Sequence, residues 1–180
     1  MSDPMEFLLW TKGPLFDWAI AIFALGVVAR IVEILVLGRA HNYAEPRDGE
    51  WGHGVKTVFR RFLADPGTLK RSGFDVLVGW VWHVGFVIVL FLFIPHIELI
   101  NSVLGVSWPG LPNPIVDAIS AITIVALVAA LVHRLRDPVK RHISTGEDYL
   151  IWAVTFLPLL TGYIAYHRLI NPYPLALGLH

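Results

Sequence analysis

Histidine is the residue type in this chain with the most chemistry to offer. Among 180 residues there are eight histidines and no cysteine. The lack of cysteine excludes disulfides, thiolate-held iron-sulfur clusters and the C-x-x-C-H attachment of a c-type haem. A redox cofactor held by this chain must therefore use other ligands, and imidazole is the obvious supply. His83 stands in Trp80-Val81-Trp82-His83-Val84-Gly85-Phe86, deep in an apolar run with no acid close by in sequence. An unsatisfied polar group in hydrocarbon costs several kcal/mol, so this imidazole needs a partner. A haem iron would serve, with Gly79 and Gly85 leaving room for a flat macrocycle against the backbone. A hydrogen bond to another helix would serve as well.

His96 follows Pro95, thirteen residues beyond His83, which is about 20 Å along a helix. Axial histidines at that separation suit one haem near each membrane face. On an ideal helix the two side chains point about 140° apart, so both face one interior only if Pro95 or a bulge resets the phase. Read otherwise, His96 is a solvated interfacial histidine. His180 ends the chain as a further helix begins, at the level of His96, and pairing of the two would give an outer haem bis-imidazole ligation. Arg30 either meets a haem propionate or pairs with Glu33, three residues on and on the same helix face. His133 and His167, beside Arg134 and Arg168, read as interfacial anchors, and His41, His53 and His142 as solvated.

The elements that position these residues are four apolar stretches, from about Pro14 to Leu37, Phe74 to Pro95, Ile115 to His133 and Tyr149 to Ile170. Each covers roughly 20 residues, about 30 Å of helix, which matches a bilayer's hydrocarbon core. The expected fold is all-α, an integral membrane helix bundle of four transmembrane helices plus the start of a fifth, forming one domain over residues 1–180. Nothing at Met1 to Trp10 has the layout of a cleavable signal peptide. Formal net charge is zero, so bulk electrostatics gives no case for nucleic acid.

The distribution of charge says more than its sum. The connection between the first two stretches holds Arg39, Arg47, Lys56, Arg60, Arg61, Lys70 and Arg71. The third and fourth are joined through Arg134, Arg136, Lys140 and Arg141, so eleven of the fourteen basic residues lie in these two connections. The positive-inside bias puts both in the cytoplasm and the N-terminus outside, in a multi-pass protein of the inner membrane. Trp10, Trp18, Trp80, Trp82, Trp108 and Trp152 near span ends fit an interfacial belt. The first connection can hold an amphipathic helix around Val55 to Leu63, lying on the inner surface.

Taken in order, these features resemble the gamma subunits of respiratory nitrate reductases and their relatives in heterodisulfide-reductase-like and dissimilatory sulfur-metabolising membrane complexes. The resemblance rests on the five-helix plan, His-Val-Gly at 83 to 85, and a second histidine near the outer end of the same span. It also rests on Arg134-Leu-Arg-Asp-Pro-Val-Lys-Arg141 running into Ser144-Thr-Gly-Glu-Asp-Tyr149, on Leu160-Thr161-Gly162, and on a histidine opening the fifth helix. It covers roughly residues 15 to 180.

The resemblance implies a haem b subunit that carries electrons between the quinone or quinol pool and a cytoplasmic iron-sulfur subunit, with two haems in the intact protein. His83 is then similar to an axial ligand of the inner haem, and His96 and His180 to the pair on the outer one. The spacing of the two histidines in the second span is a few residues longer than in the nitrate reductase branch, which favours the sulfur-metabolism relatives. The family carries a further histidine at the inner end of the fifth helix, so the chain is expected to be C-terminally incomplete. The quinone pocket is expected beside His96, with Trp108 and several prolines as its apolar wall. Arg60-Arg61 and Arg134 to Arg141 are candidate docking surfaces for the partner or contacts for anionic lipid. Two readings from other classes stand beside this one: a cofactor-free membrane anchor, and a small transporter using Arg30, Glu33 and His83.

Overall fold

A computed structural model of the chain describes residues 3–38, 51–169 and 178, and every described element is helical. Arg39, His41, Arg47 and His180, with the expected opening of a fifth helix, lie outside the described residues. Four helices are long and apolar enough to cross a membrane. The protein is an all-α, multi-pass membrane fold, in which each span satisfies its backbone polar groups internally, as hydrocarbon demands. The chain divides into two compact units, residues 1–65 and 66–180.

In the first unit, α1 (Pro4–Trp10) begins behind Asp3, whose carboxylate accepts the Met5 N–H at 3.1 Å. It does not stop at Trp10. A widened turn over Thr11–Leu15 carries it into α2 (Phe16–Leu37), so the apolar candidate span runs from Pro4 to Leu37 and starts ten residues before the expected boundary at Pro14. The turn widens because Gly13 leaves helical geometry (φ −102, ψ −106) and Pro14 has no N–H to donate. Gly38, at φ 64, ends α2 in a region that side chains with a Cβ avoid. The expected amphipathic helix is α3 (Trp51–Phe62). Val55, Val58, Phe59 and Phe62 recur on it at helical spacing, with Lys56, Arg60 and Arg61 between them.

The second unit consists of α4 (Pro66–Leu92), α5 (Ile94–Leu104), α6 (Asn113–Arg136), the short α7 (Pro138–Ile143) and α8 (Gly146–Tyr166). The middle of the unit is α6, packed on α4 along one side and α8 along the other. Its buried face is Val116, Ser120, Thr123, Ala126 and Leu127. These are mostly small side chains at three- and four-residue intervals, and they allow neighbouring backbones to come close, the usual basis of helix association in lipid. The tightest approach is at Gly85 of α4, where a Cβ would lie 2.0 Å from the Thr123 Oγ1. Thr123 is fully buried, and its hydroxyl is satisfied by donating to the Ile119 carbonyl at 2.7 Å. Val89, Val116, Leu127 and Leu159 form the apolar core across the three helices. The Trp152 indole N–H adds a hydrogen bond from α8 to the Leu127 carbonyl at 2.9 Å.

The expected outer connection is more structured than its sequence suggests. Phe93 is extended (φ −81, ψ 123), so α4 ends at Leu92 and a second helix starts at Ile94 with Pro95 in its first turn, where a missing N–H does no harm. The carbonyls freed at the end of α4 are taken up from the returning chain. The Leu111 N–H donates to the Leu92 carbonyl at 2.9 Å, and the Trp108 indole to the Phe91 carbonyl at 2.6 Å.

Candidate functional site

His83 sits on an exposed stretch of α4 with its ring against Trp82, centroids 3.5 Å apart. Its Nδ1 is 2.6 Å from the Gly79 carbonyl, one turn back. A carbonyl only accepts, so Nδ1 carries the proton and the lone pair is on Nε2, directed away from the backbone. Gly79 shares this face, and nothing occupies the place of its missing Cβ. Gly85 does not share it. Two residues beyond His83 it lies about 200° round the helix, and its space is filled by Thr123. The expected room for a macrocycle at Gly85 is therefore taken by helix packing, and only Gly79 flanks His83.

His96 is not on the same helix as His83. The break at Phe93 moves it to the first turn of α5. Its Nδ1 reaches back seven residues to the Val89 carbonyl at 3.0 Å, and the Phe93 ring meets it edge-on at 5.2 Å between centroids. His96 thus repeats the protonation pattern of His83. It also lines a partly open cavity of about 150 Å³ between α4, α5, α6 and α8, whose apolar walls include Phe86, Val89 and Leu159.

On the far side of that cavity is a pair that sequence reasoning missed. Asp117, near the start of α6, lines the cavity, and its Oδ1 lies 2.7 Å from the His167 Nε2. Both side chains are about one-third exposed. His167 is held at the end of α8, its backbone N–H donating to the Tyr163 carbonyl at 3.1 Å, and Arg168 after it takes a left-handed conformation (φ 53). Rings of Tyr163 and Tyr166 pack on the imidazole at 4.4 and 5.1 Å between centroids. His167, read from sequence as an interfacial anchor, is thereby tied across helices to Asp117. A signal was present, because Asp117 is an acid in an otherwise apolar span and such residues are rarely idle. Its partner, fifty residues away, was not visible.

The opposite end of the unit has its own polar cluster. Lys140 of α7 reaches both carboxylate oxygens of Asp75 at 2.6 and 2.5 Å, and the His133 Nε2 stands 3.4 Å from the same group. Arg134 pairs with Asp148 at 3.2 Å and donates to the Ser144 hydroxyl at 3.0 Å. His133, read from sequence as an interfacial anchor, also faces an acid on α4, and two cations of the candidate docking loop are engaged within the fold. Asp137 caps α7, accepting the N–H groups of Val139 and Lys140. These bonds, that of Lys140 foremost, hold its carboxyl below the usual range.

Of the described candidate ligands, His96 lines the cavity between α4, α5, α6 and α8. His83 is on the exposed part of α4, and Arg30 is bonded to Glu33 within α2. Among the described residues no three His, Cys, Asp or Glu side chains form a group able to hold a bare metal ion. A haem asks less, since the porphyrin supplies four ligands and the protein one or two axial ones.

The fold and these sites define a multi-pass helical membrane protein with imidazoles set at two levels of one helical unit. No family model matches the chain, and no solved structure does. A protein of Nitratidesulfovibrio vulgaris, described only as "Protein", is 25% identical over 161 residues, spanning 85% of this chain and 70% of that one.

Proposed function

We propose that the chain is the haem b membrane subunit of a respiratory oxidoreductase, passing electrons between the quinone or quinol pool and a cytoplasmic iron-sulfur partner. The observation that carries this reading is the matched state of His83 and His96. Each sets its Nδ1–H against a backbone carbonyl, which makes Nε2 the ring's acceptor nitrogen, as imidazoles that bind metals are commonly held. The residues fit the group as one axial ligand at each of two levels, with His180 the proposed opposite ligand for His96. When bound, each haem supplies a one-electron carrier. The chain contributes by fixing the tautomer, orienting the rings and keeping water from the apolar walls around them.

In this reading the N-terminus is outside the inner membrane and α3 lies at the cytoplasmic face. Because Arg134 and Lys140 are engaged by Asp148 and Asp75, Arg60 and Arg61 are the better candidates for partner docking. A cofactor-free membrane anchor is the second reading, and the bond to the Gly79 carbonyl favours it by already meeting part of the polar demand of His83.

An absorption spectrum of the protein purified from membranes decides between them. The haem reading expects a dithionite-reducible Soret and alpha band. His83→Ala and His96→Ala should each remove about half of the haem measured as the pyridine haemochrome. A colourless, stably folded wild type would leave only the anchor.

A further inference from the structure

Resting on the quinol-linked reading above, we infer that the cavity beside His96 is the seat of a hydroxylated aromatic ring, that Asp117 accepts its hydroxyl proton, and that His167 positions Asp117. Three observations meet here. The cavity measures about 150 Å³, a volume that in other proteins takes a single benzene ring. Its walls are apolar, and Leu90 and Tyr166, both exposed, form a lip through which an apolar tail would leave into lipid. The polar exceptions in its lining are His96, Asp117, Ser120 and the phenols of Tyr163 and Tyr166.

Two of these groups are spoken for. The Ser120 hydroxyl donates to the Val116 carbonyl at 2.8 Å, and the His96 Nδ1 to that of Val89 at 3.0 Å. Asp117 uses Oδ1 for His167, and Oδ2 has no hydrogen bond from any described residue. With the His167 Nε2–H donating to Oδ1, the carboxylate is oriented, with one oxygen available. Among the described residues that line the cavity there is no Lys or Arg. The titratable groups facing Asp117 there are His96, Tyr163 and Tyr166, besides its partner His167.

A carboxylate oxygen accepts and does not donate, so the site selects the reduced, hydroxylated ring over a dicarbonyl of the same shape. The proposed step is a single proton transfer. The ring O–H bond breaks, its proton passes to Asp117 Oδ2 to give the neutral acid, and the ring keeps the electron pair as a phenolate-type anion. No oxidant enters that step.

Binding can be measured whether or not haem is present, with 4-heptylphenol and its methyl ether as redox-inert probes of the chain in lipid nanodiscs. Wild type should bind the phenol about tenfold or more tighter than the ether, as a charge-assisted hydrogen bond predicts. Asp117→Asn should shrink that preference to about threefold or less. His167→Gln, which can still donate to Asp117, should restore most of what His167→Ala loses. Leu90→Trp, at the lip and away from the carboxylate, should weaken both probes alike. If wild type binds phenol and ether equally, or if Asp117→Asn keeps the full preference, the inference is overturned. The haem spectrum reports separately on the electron-transfer reading, so a colourless protein that still prefers the phenol would sink that reading and leave this site standing.

Discussion

The second unit carries an aspartate–histidine pair at each end, and the two differ in what surrounds the carboxylate. Near the α6–α7 junction Asp75 is gripped by the Lys140 ammonium through both oxygens, and His133 stands off at 3.4 Å. Beside His96, Asp117 meets His167 alone at 2.7 Å, with a cavity in place of a cation. Equal residue types thus produce unequal chemistry. A carboxylate with both oxygens committed to an ammonium works as a clasp that ties α7 to α4. One that keeps an oxygen over an apolar cavity can receive a proton from a ligand.

The most damaging way to test this contrast is to separate the helices that create both pairs, since α6 contributes Asp117 to one and His133 to the other. Gly85→Val drives two methyl groups into Thr123, where even a Cβ finds Oγ1 at 2.0 Å. Overpacking of this kind costs about 1–3 kcal/mol, and the neighbour here is part of a fully buried residue with little room to give. Thermal melting in detergent should fall sharply, with both ends lost together. A variant that melts like wild type would mean that α4 and α6 are not in the tight contact described.

Removing the cation should have a smaller effect and turn one end toward the other. Lys140→Met leaves Asp75 facing only His133, in imitation of the pair at the cavity. Both members of the Asp75–Lys140 pair are partly exposed, so the loss should be no more than about 1 kcal/mol. A double-mutant cycle with Asp75→Asn should recover a coupling of that size. Asp117→Asn should cost comparably little stability while cutting phenol selectivity to about threefold or less, because its role is toward a ligand. Should Asp117→Asn instead destabilise the fold much more than Asp75→Asn, the assignment of clasp and acceptor would have to be exchanged.

Arg168 gives a further, smaller contrast, since a left-handed conformation there costs a side-chain-bearing residue about 1 kcal/mol relative to glycine. Arg168→Gly should raise the melting temperature by a few degrees and leave the His167–Asp117 pair intact. A fall would indicate that the Arg168 side chain contributes more than its backbone costs.

The spans were legible because membrane-crossing length and hydropathy are local properties, and the amphipathic Val55 to Phe62 stretch was legible through its helical period. The pairs were not. Asp117 and His167 are fifty residues apart, and Asp75 and Lys140 sixty-five, so neither spacing nor periodicity joins them. Gly85 misled for a related reason. From sequence a glycine two positions from a histidine reads as space for a ligand, but two residues turn a helix past half a revolution, and the space belongs to Thr123 on another helix. The break at Phe93 was half visible in Pro95, which announces a change of direction without saying that a new helix starts one residue before it.

The finest test concerns Asp137, which belongs to the clasped end but interacts with backbone in place of side chains. Its folded pKa is below the ordinary 3.8, chiefly through the Lys140 N–H it accepts at the start of α7. A carboxyl depressed by folding stabilises the folded state above its unfolded pKa, and that contribution is lost as pH falls through the folded value. Stability should therefore be flat above the ordinary carboxylate range and decline only in strong acid. Asp137→Asn keeps the cap, because asparagine is also a good N-cap, but removes the titration. Asp137→Ala removes both. Melting curves recorded from neutral pH downward should show Asp137→Asn close to wild type at neutrality with a shallower acid decline, and Asp137→Ala lower throughout. If Asp137→Asn declines as steeply as wild type, the acid sensitivity of this end comes from another carboxylate, and Asp148, held below the usual range chiefly by the Thr145 N–H it accepts, is the one to substitute next.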